Sequence, residues 1–102
     1  MKLIYNNKEI SVTNTYNETI MKYKYQKLYY AIIINECNSY SSIQNKQRID
    51  VIMTDENYKI LSIKKEMHEN TIYENENATK TILLPLDTFK DLKINTYFTI
   101  KE

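Results

Sequence analysis

Short stretches in which apolar and β-branched residues alternate with polar ones recur along the chain. Two of them, Ile49–Thr54 and residues 60–64, flank a short polar turn and predict the clearest β-hairpin. Apolar residues fall on both faces of the first stretch, which predicts an internal strand of a sheet. Further strands are predicted at residues 3–5, 9–12, 29–34, 81–84 and 96–100.

Two short helices are also predicted. Thr15 and Glu18 have the spacing of a capping box, which predicts a helix over residues 16–24. Residues 86–92 follow the only proline and begin with residues able to cap a helix, which predicts one helical turn. The chain of 102 residues is therefore expected to be a single mainly β (α+β) domain. The expected architecture is a small, partly closed antiparallel β-barrel or rolled sheet with these two helical elements.

The chain contains no glycine. A dinucleotide-binding fingerprint and a P-loop both need glycines so that backbone amides can approach phosphate, and both are excluded. Turns with a positive φ must then use Asn or Asp, which tolerate the left-handed region best after glycine. The candidates are Asn6, Asn7, residues 55–57, Asn75 and Asn95.

Charge and cysteine content limit the class of protein further. The net charge of +1 predicts no strong attraction to nucleic acid, and one cysteine allows no internal disulfide and no thiolate metal cluster. The longest apolar run, residues 31–34, is too short to span a bilayer, and the start of the chain does not read as a signal peptide. We expect a cytoplasmic protein with no membrane association and no cofactor.

The hairpin also carries a family resemblance. Ile49 and Asp50 begin an apolar strand that leads through Asp55 to a returning strand at Leu61, and this pattern resembles the DUF192 family (domain of unknown function 192). Residues 83–85 and 92–94 resemble the family's Glu-Leu-Pro and Leu-Gly-Ile, and residues 20–28 resemble its Gly-Leu-Met-x-Arg more loosely. The resemblance, which covers nearly the whole chain, implies a small, mostly β fold.

The chain departs from the family in its loops. Residues 41–46 stand where the family usually carries an aromatic residue or His followed by Met-Lys, and only Lys46 is retained. The resemblance therefore implies a retained fold with an altered or lost ancestral activity, in a family whose function is itself uncharacterised.

One candidate interaction surface interleaves lysines with tyrosines. Tyrosine offers a large contact area at low entropic cost and is enriched in protein interfaces. The same combination also suits single-stranded nucleic acid, because bases stack on rings while ammonium groups follow the phosphates. The surface comprises Lys22, Tyr23, Lys24, Tyr25, Lys27 and Tyr29, within the stretch 22–30.

A candidate ligand loop lies further along the chain and comprises Cys37, Lys46, Arg48 and Asp50. Asp50 has apolar neighbours, so it is a candidate for acid–base chemistry, although such residues more often accept backbone amides and fix a loop. Arg48 is the only arginine and the natural partner for Asp50 or Asp55. We expect Cys37 to be a buried structural residue and the only histidine, His68, to be exposed rather than a metal ligand.

These observations favour a non-enzymatic module that binds a larger protein partner. A small accessory or inhibitor protein from a bacterium, phage or mobile element fits the compact chain and its AT-rich type of composition, in which Ile, Asn, Lys and Tyr dominate. The alternatives are a small-molecule-binding or weakly catalytic domain using residues 37–46 with Arg48 and Asp50, and a single-stranded nucleic-acid binder. The near-neutral charge makes nucleic acid the least favoured partner.

Overall fold

The computed structural model describes residues 1–13 and 27–102, and these contain nine β-strands. In chain order they are β1 (Lys2–Tyr5), β2 (Lys8–Thr13), β3 (Ala31–Asn35), β4 (Ser39–Ser41), β5 (Ile49–Thr54), β6 (Ile60–Met67), β7 (Ile72–Glu74), β8 (Lys80–Pro85) and β9 (Thr99–Lys101).

Seven of these strands form one curled sheet, a half-barrel, in the order β6-β5-β8-β3-β2-β1-β9. All neighbours are antiparallel except β2 and β3, which run parallel. The curl brings the segments that lead into the two end strands, β6 and β9, into contact. There the Ile60 amide donates to the Thr96 carbonyl (2.7 Å) and the Phe98 amide donates to the Tyr58 carbonyl (3.0 Å). Strands β4 and β7 form a separate two-stranded sheet.

Strands β3, β5 and β8 are rich in apolar residues because their central residues are buried on both faces of the sheet. Within β5, Val51 and Met53 belong to one hydrophobic cluster and Ile52 belongs to the other. Tyr40 of the small sheet packs in the first cluster. In the second cluster, the rings of Tyr5, Phe89 and Phe98 lie 5.6–6.1 Å apart, a spacing at which aromatic pairs attract.

The predicted hairpin is confirmed. Strand β5 pairs with β6, with Met53 opposite Ser62, and β5 is internal because β8 pairs with its other edge. The other predicted strands are present with bounds shifted by one or two residues, except that residues 96–100 contribute only the three-residue strand β9. Strands β4 and β7 are additional short strands that were not predicted.

The predicted helical turn over residues 86–92 is wrong, since residues 1–13 and 27–102 contain no helix. The Asp87 amide donates to the buried carboxylate of Asp50 (2.9 Å), and Asp87 has a φ of 60°, which takes the backbone out of the right-handed helical region. Thr88 donates to the Pro85 carbonyl (2.8 Å) and closes a turn instead. The helix predicted over residues 16–24 lies outside the described residues.

The absence of glycine places other residues at positive φ. The predictions for Asn6, Asn7 and Asn95 are confirmed, whereas those for residues 55–57 and Asn75 are wrong. In the β5–β6 hairpin the Asp55 carboxylate accepts the amides of Asn57 (2.9 Å) and Lys59 (3.0 Å), so the turn adopts a positive φ only at Tyr58. In the described part of the chain, the remaining positions with positive φ are Glu36, Gln44, Glu66, Asn70 and Asp87.

Candidate binding cleft

An open cleft of about 1270 Å³ lies where three separate parts of the chain meet. Its walls come from residues 27–29, residues 44–48 and the turn after β8, and Ile10 of β2 contributes from the sheet. The described lining residues are Ile10, Lys27, Leu28, Tyr29, Gln44, Asn45, Lys46, Gln47, Arg48, Pro85, Leu86 and Thr88.

The first wall, residues 27–29, is anchored by Leu28. Its side chain is buried in the first hydrophobic cluster, and its amide donates to the side-chain oxygen of Gln47 (3.0 Å). This bond joins the first wall to the second. The flanking side chains stay at the surface: Tyr29 is 74% exposed, and the Lys27 ammonium lies 5.6 Å from the centre of its ring. At that distance the pair makes a cation–π contact.

The second wall, residues 44–48, is held by the buried hydroxyl of Ser42. That hydroxyl accepts the amide of Thr71 (3.0 Å) and donates to the carbonyl of His68 (2.5 Å). The Ser42 carbonyl accepts the amide of Asn45 (3.0 Å), and Asn70 accepts the amide of Gln44 (3.2 Å). The second wall is therefore held in place by hydrogen bonds within the protein.

The third wall, the turn after β8, is fixed by Asp50. This residue lies on β5 with its side chain only 1% exposed. Its carboxylate accepts three hydrogen bonds, from the Asp87 amide (2.9 Å), the Glu66 amide (2.9 Å) and the Lys65 ammonium (2.7 Å). Asp50 faces neither solvent nor the cleft, and it acts through backbone amides as a positioning residue.

The cleft carries positive charge from two of its walls. Lys27, Lys46 and Arg48 line it, and its described lining includes no Asp or Glu. Arg48 donates through Nη1 to Glu66 (2.8 Å), and both side chains are about half exposed (54% and 51%). The prediction that Arg48 pairs with Asp50 or Asp55 is wrong, because the bulge between β5 and β6 places Lys65 beside Asp50 and turns Glu66 toward Arg48.

Asn45 is a buried polar residue in the second wall. Its oxygen accepts the amide of Gln47 (3.3 Å), while its Nδ2 is buried without a hydrogen-bond partner among the described residues. A buried donor in that state costs on the order of 1–3 kcal/mol.

The cleft draws on both residue sets predicted from sequence. Lys27 and Tyr29 belong to the predicted interaction surface, and Lys46 and Arg48 belong to the predicted ligand loop. Of the other predicted residues, Lys22, Tyr23, Lys24 and Tyr25 lie outside the described part of the chain.

Cys37 lies away from the lining and is half-buried rather than fully buried, with its thiol 3.2 Å from the Ser39 carbonyl. His68 is exposed, as predicted. Sequence reasoning missed the contributions of Ile10, Gln47 and the turn after β8. No local pattern marks these residues, because the curl of the sheet is what brings them together.

Comparison with known proteins yields no relative: no protein-family model, no curated protein and no solved structure matches this chain. The resemblance to the DUF192 family stays a prediction on the residues given for it. Across residues 1–13 and 27–102 there is no helix long and apolar enough to cross a membrane.

Proposed function

We propose that this protein is a non-enzymatic binding module that engages a larger protein partner through the cleft. The observation that carries the proposal is the meeting of Tyr29 with Lys27, Lys46 and Arg48 on prearranged walls. Tyrosine and arginine are the residue types that most often anchor protein interfaces.

The dimensions of the cleft support a polypeptide ligand over a metabolite. Small-molecule sites are typically enclosed and about 300–1,000 Å³ in volume, whereas this cleft is open and larger, at about 1270 Å³. Tyr29 is 74% exposed, so most of its surface is accessible for contact with a partner.

The placement of Cys37 and Asp50 supports binding over catalysis. Within the predicted ligand set, these two residues carry the nucleophilic and acid–base groups, and neither lines the cleft. Asp50 is moreover occupied by three hydrogen bonds that hold the fold. A weakly catalytic site built from these residues is therefore the less supported alternative.

The proposal is tested by affinity capture from the source cell with a matched pair of variants. The cleft variant combines Tyr29→Ser with Lys46→Glu. The control combines Tyr97→Ser with Lys59→Glu, another tyrosine and lysine that are neighbours in the fold and lie outside the cleft. Tyr97 is also more than half exposed.

We expect one protein to be recovered in stoichiometric amount with the wild type and the control, and to be lost with the cleft variant. Equal circular dichroism and thermal unfolding of the two variants would show that both are folded. Recovery of the partner by the cleft variant would refute the proposal, as would recovery of nucleic acid in place of a protein.

A further inference from the structure

Building on the proposed function, we infer that the cleft binds an acidic segment of the partner protein. In the free protein the Glu66 carboxylate pairs with Arg48, and in the complex a carboxylate of that segment takes its place. The inference rests on the charge of the cleft, the geometry of the Arg48–Glu66 pair and the apolar surface between the walls.

The charge of the cleft is only partly compensated. Lys27 and Lys46 are exposed and make no ion pair with any described residue, while Arg48 is paired with Glu66. An acidic segment that spans the cleft would therefore bring carboxylates to two lysines that have no ion-pair partner among residues 1–13 and 27–102. Charge complementarity of this kind raises the association rate and selects the sign of the partner.

The exposure of the Arg48–Glu66 pair allows another carboxylate to replace Glu66 on Arg48. Its two side chains are about half exposed, so replacing one carboxylate by another on Arg48 requires no buried group to be uncovered. Arginine also presents several N–H groups in a planar fork that suits carboxylates. The backbone of Glu66 is held independently by Asp50, so the side chain can leave Arg48 without unfolding the strand.

The surface between the charged groups favours a polypeptide over nucleic acid. Ile10, Pro85 and Leu86 supply aliphatic surface, and Tyr29 is the one aromatic ring in the described lining. Single-stranded nucleic-acid binders stack successive bases on several rings. An acidic segment with aliphatic side chains between its carboxylates matches this lining better.

The probe for the test is a short fluorescein-labelled peptide in which Glu alternates with Leu, compared with the same peptide in which every Glu is Gln. Binding is measured by fluorescence anisotropy. Four proteins are compared: wild type, Glu66→Gln, Arg48→Gln and the double variant. A fifth, Glu56→Gln, removes the same charge at the exposed β5–β6 turn and serves as the control for net charge.

We expect the acidic peptide to bind and the Gln peptide not to bind. Glu66→Gln should tighten binding by about two- to five-fold, the range that corresponds to an exposed ion pair of ordinary strength. Glu56→Gln should change affinity by a smaller factor, and Glu66→Gln should have no such effect once Arg48 is Gln.

The inference would be overturned by equal effects of Glu66→Gln and Glu56→Gln, by equal binding of the two peptides, or by tighter binding of a thymidine oligonucleotide than of the acidic peptide. If the acidic peptide fails to bind while partner capture still depends on Tyr29 and Lys46, the inference fails and the proposed function stands. Loss of that dependence would instead refute the proposed function itself.

Discussion

Asp50 and Glu66 are neighbouring carboxylates with different structural roles. Each accepts a short bond from a cation, at 2.7 Å from Lys65 and 2.8 Å from Arg48. The side chain of Asp50 is 1% exposed and holds two backbone amides as well, whereas that of Glu66 is 51% exposed and holds only Arg48. The two carboxylates differ in burial and in the number of donors rather than in distance, and on these grounds we expect Asp50 to be structural and Glu66 to be exchangeable.

The sheet explains why the two carboxylates differ. Asp50 lies on β5, whose six residues are all buried between β6 and β8. Glu66 lies at a bulge of the outer strand β6, with a φ of 52°. Asp50 accepts the amide of Asp87 and thereby fixes the third wall of the cleft. It also accepts the amide of Glu66 and thereby fixes the backbone of the residue that pairs with Arg48.

The largest expected effect is that of Asp50→Ala. The substitution leaves two backbone amides without their buried acceptor and removes the shorter of the two ion pairs of Lys65, which keeps Asp87 at 3.5 Å. We therefore expect a loss of about 3–5 kcal/mol in the free energy of unfolding, mostly from the two amides, measured by urea denaturation. Asp55→Ala is the matched control, because Asp55 also accepts two backbone amides but lies in an accessible turn. It should cost about 1 kcal/mol. Equal losses for the two variants would contradict the structural role of Asp50.

A smaller effect is expected for Ser42→Ala, which removes the bonds of the second wall to Thr71 and His68. We expect a loss of about 1–2 kcal/mol in stability, together with faster amide hydrogen exchange at residues 43–47. The neighbouring Ser41→Ala removes a hydroxyl that accepts only one long bond, from the Ile43 amide (3.3 Å), and should change neither quantity appreciably. Unchanged exchange in Ser42→Ala would mean that the wall is held by its backbone alone.

The strands of the sheet were predictable from sequence, because they depend on local patterns. Alternation and β-branching located β5 and β6. Of the two roles that the sequence left open for Asp50, it is the more common one, acceptance of backbone amides, that the structure shows. The partners of Arg48 and Asp50 were not predictable, because a single bulge in β6 decides which of Lys65 and Glu66 faces each of them.

The cleft was predictable only in part. Tyrosine–lysine alternation and the polar loop indicated two of its walls as separate surfaces. Their meeting is supported by the hydrogen bond from the Leu28 amide to Gln47 and by the curl of the sheet, which brings Ile10 and Leu86 to the same place. These contacts join positions far apart in the chain, where periodicity carries no information.

The smallest expected effect on stability is that of separating Arg48 from Glu66. Exposed ion pairs typically contribute between zero and about 1 kcal/mol, so Arg48→Gln and Glu66→Gln should each change the free energy of unfolding by no more than about 0.5 kcal/mol. A double-mutant cycle in urea, run at low and at moderate salt, measures the coupling between the two side chains; we expect it to be below about 1 kcal/mol and to shrink as salt screens the charges. A coupling as large as the effect of Asp50→Ala and insensitive to salt would contradict the distinction between the two carboxylates. Glu66 would then be a structural residue, bound to Arg48 too strongly for a partner's carboxylate to replace it.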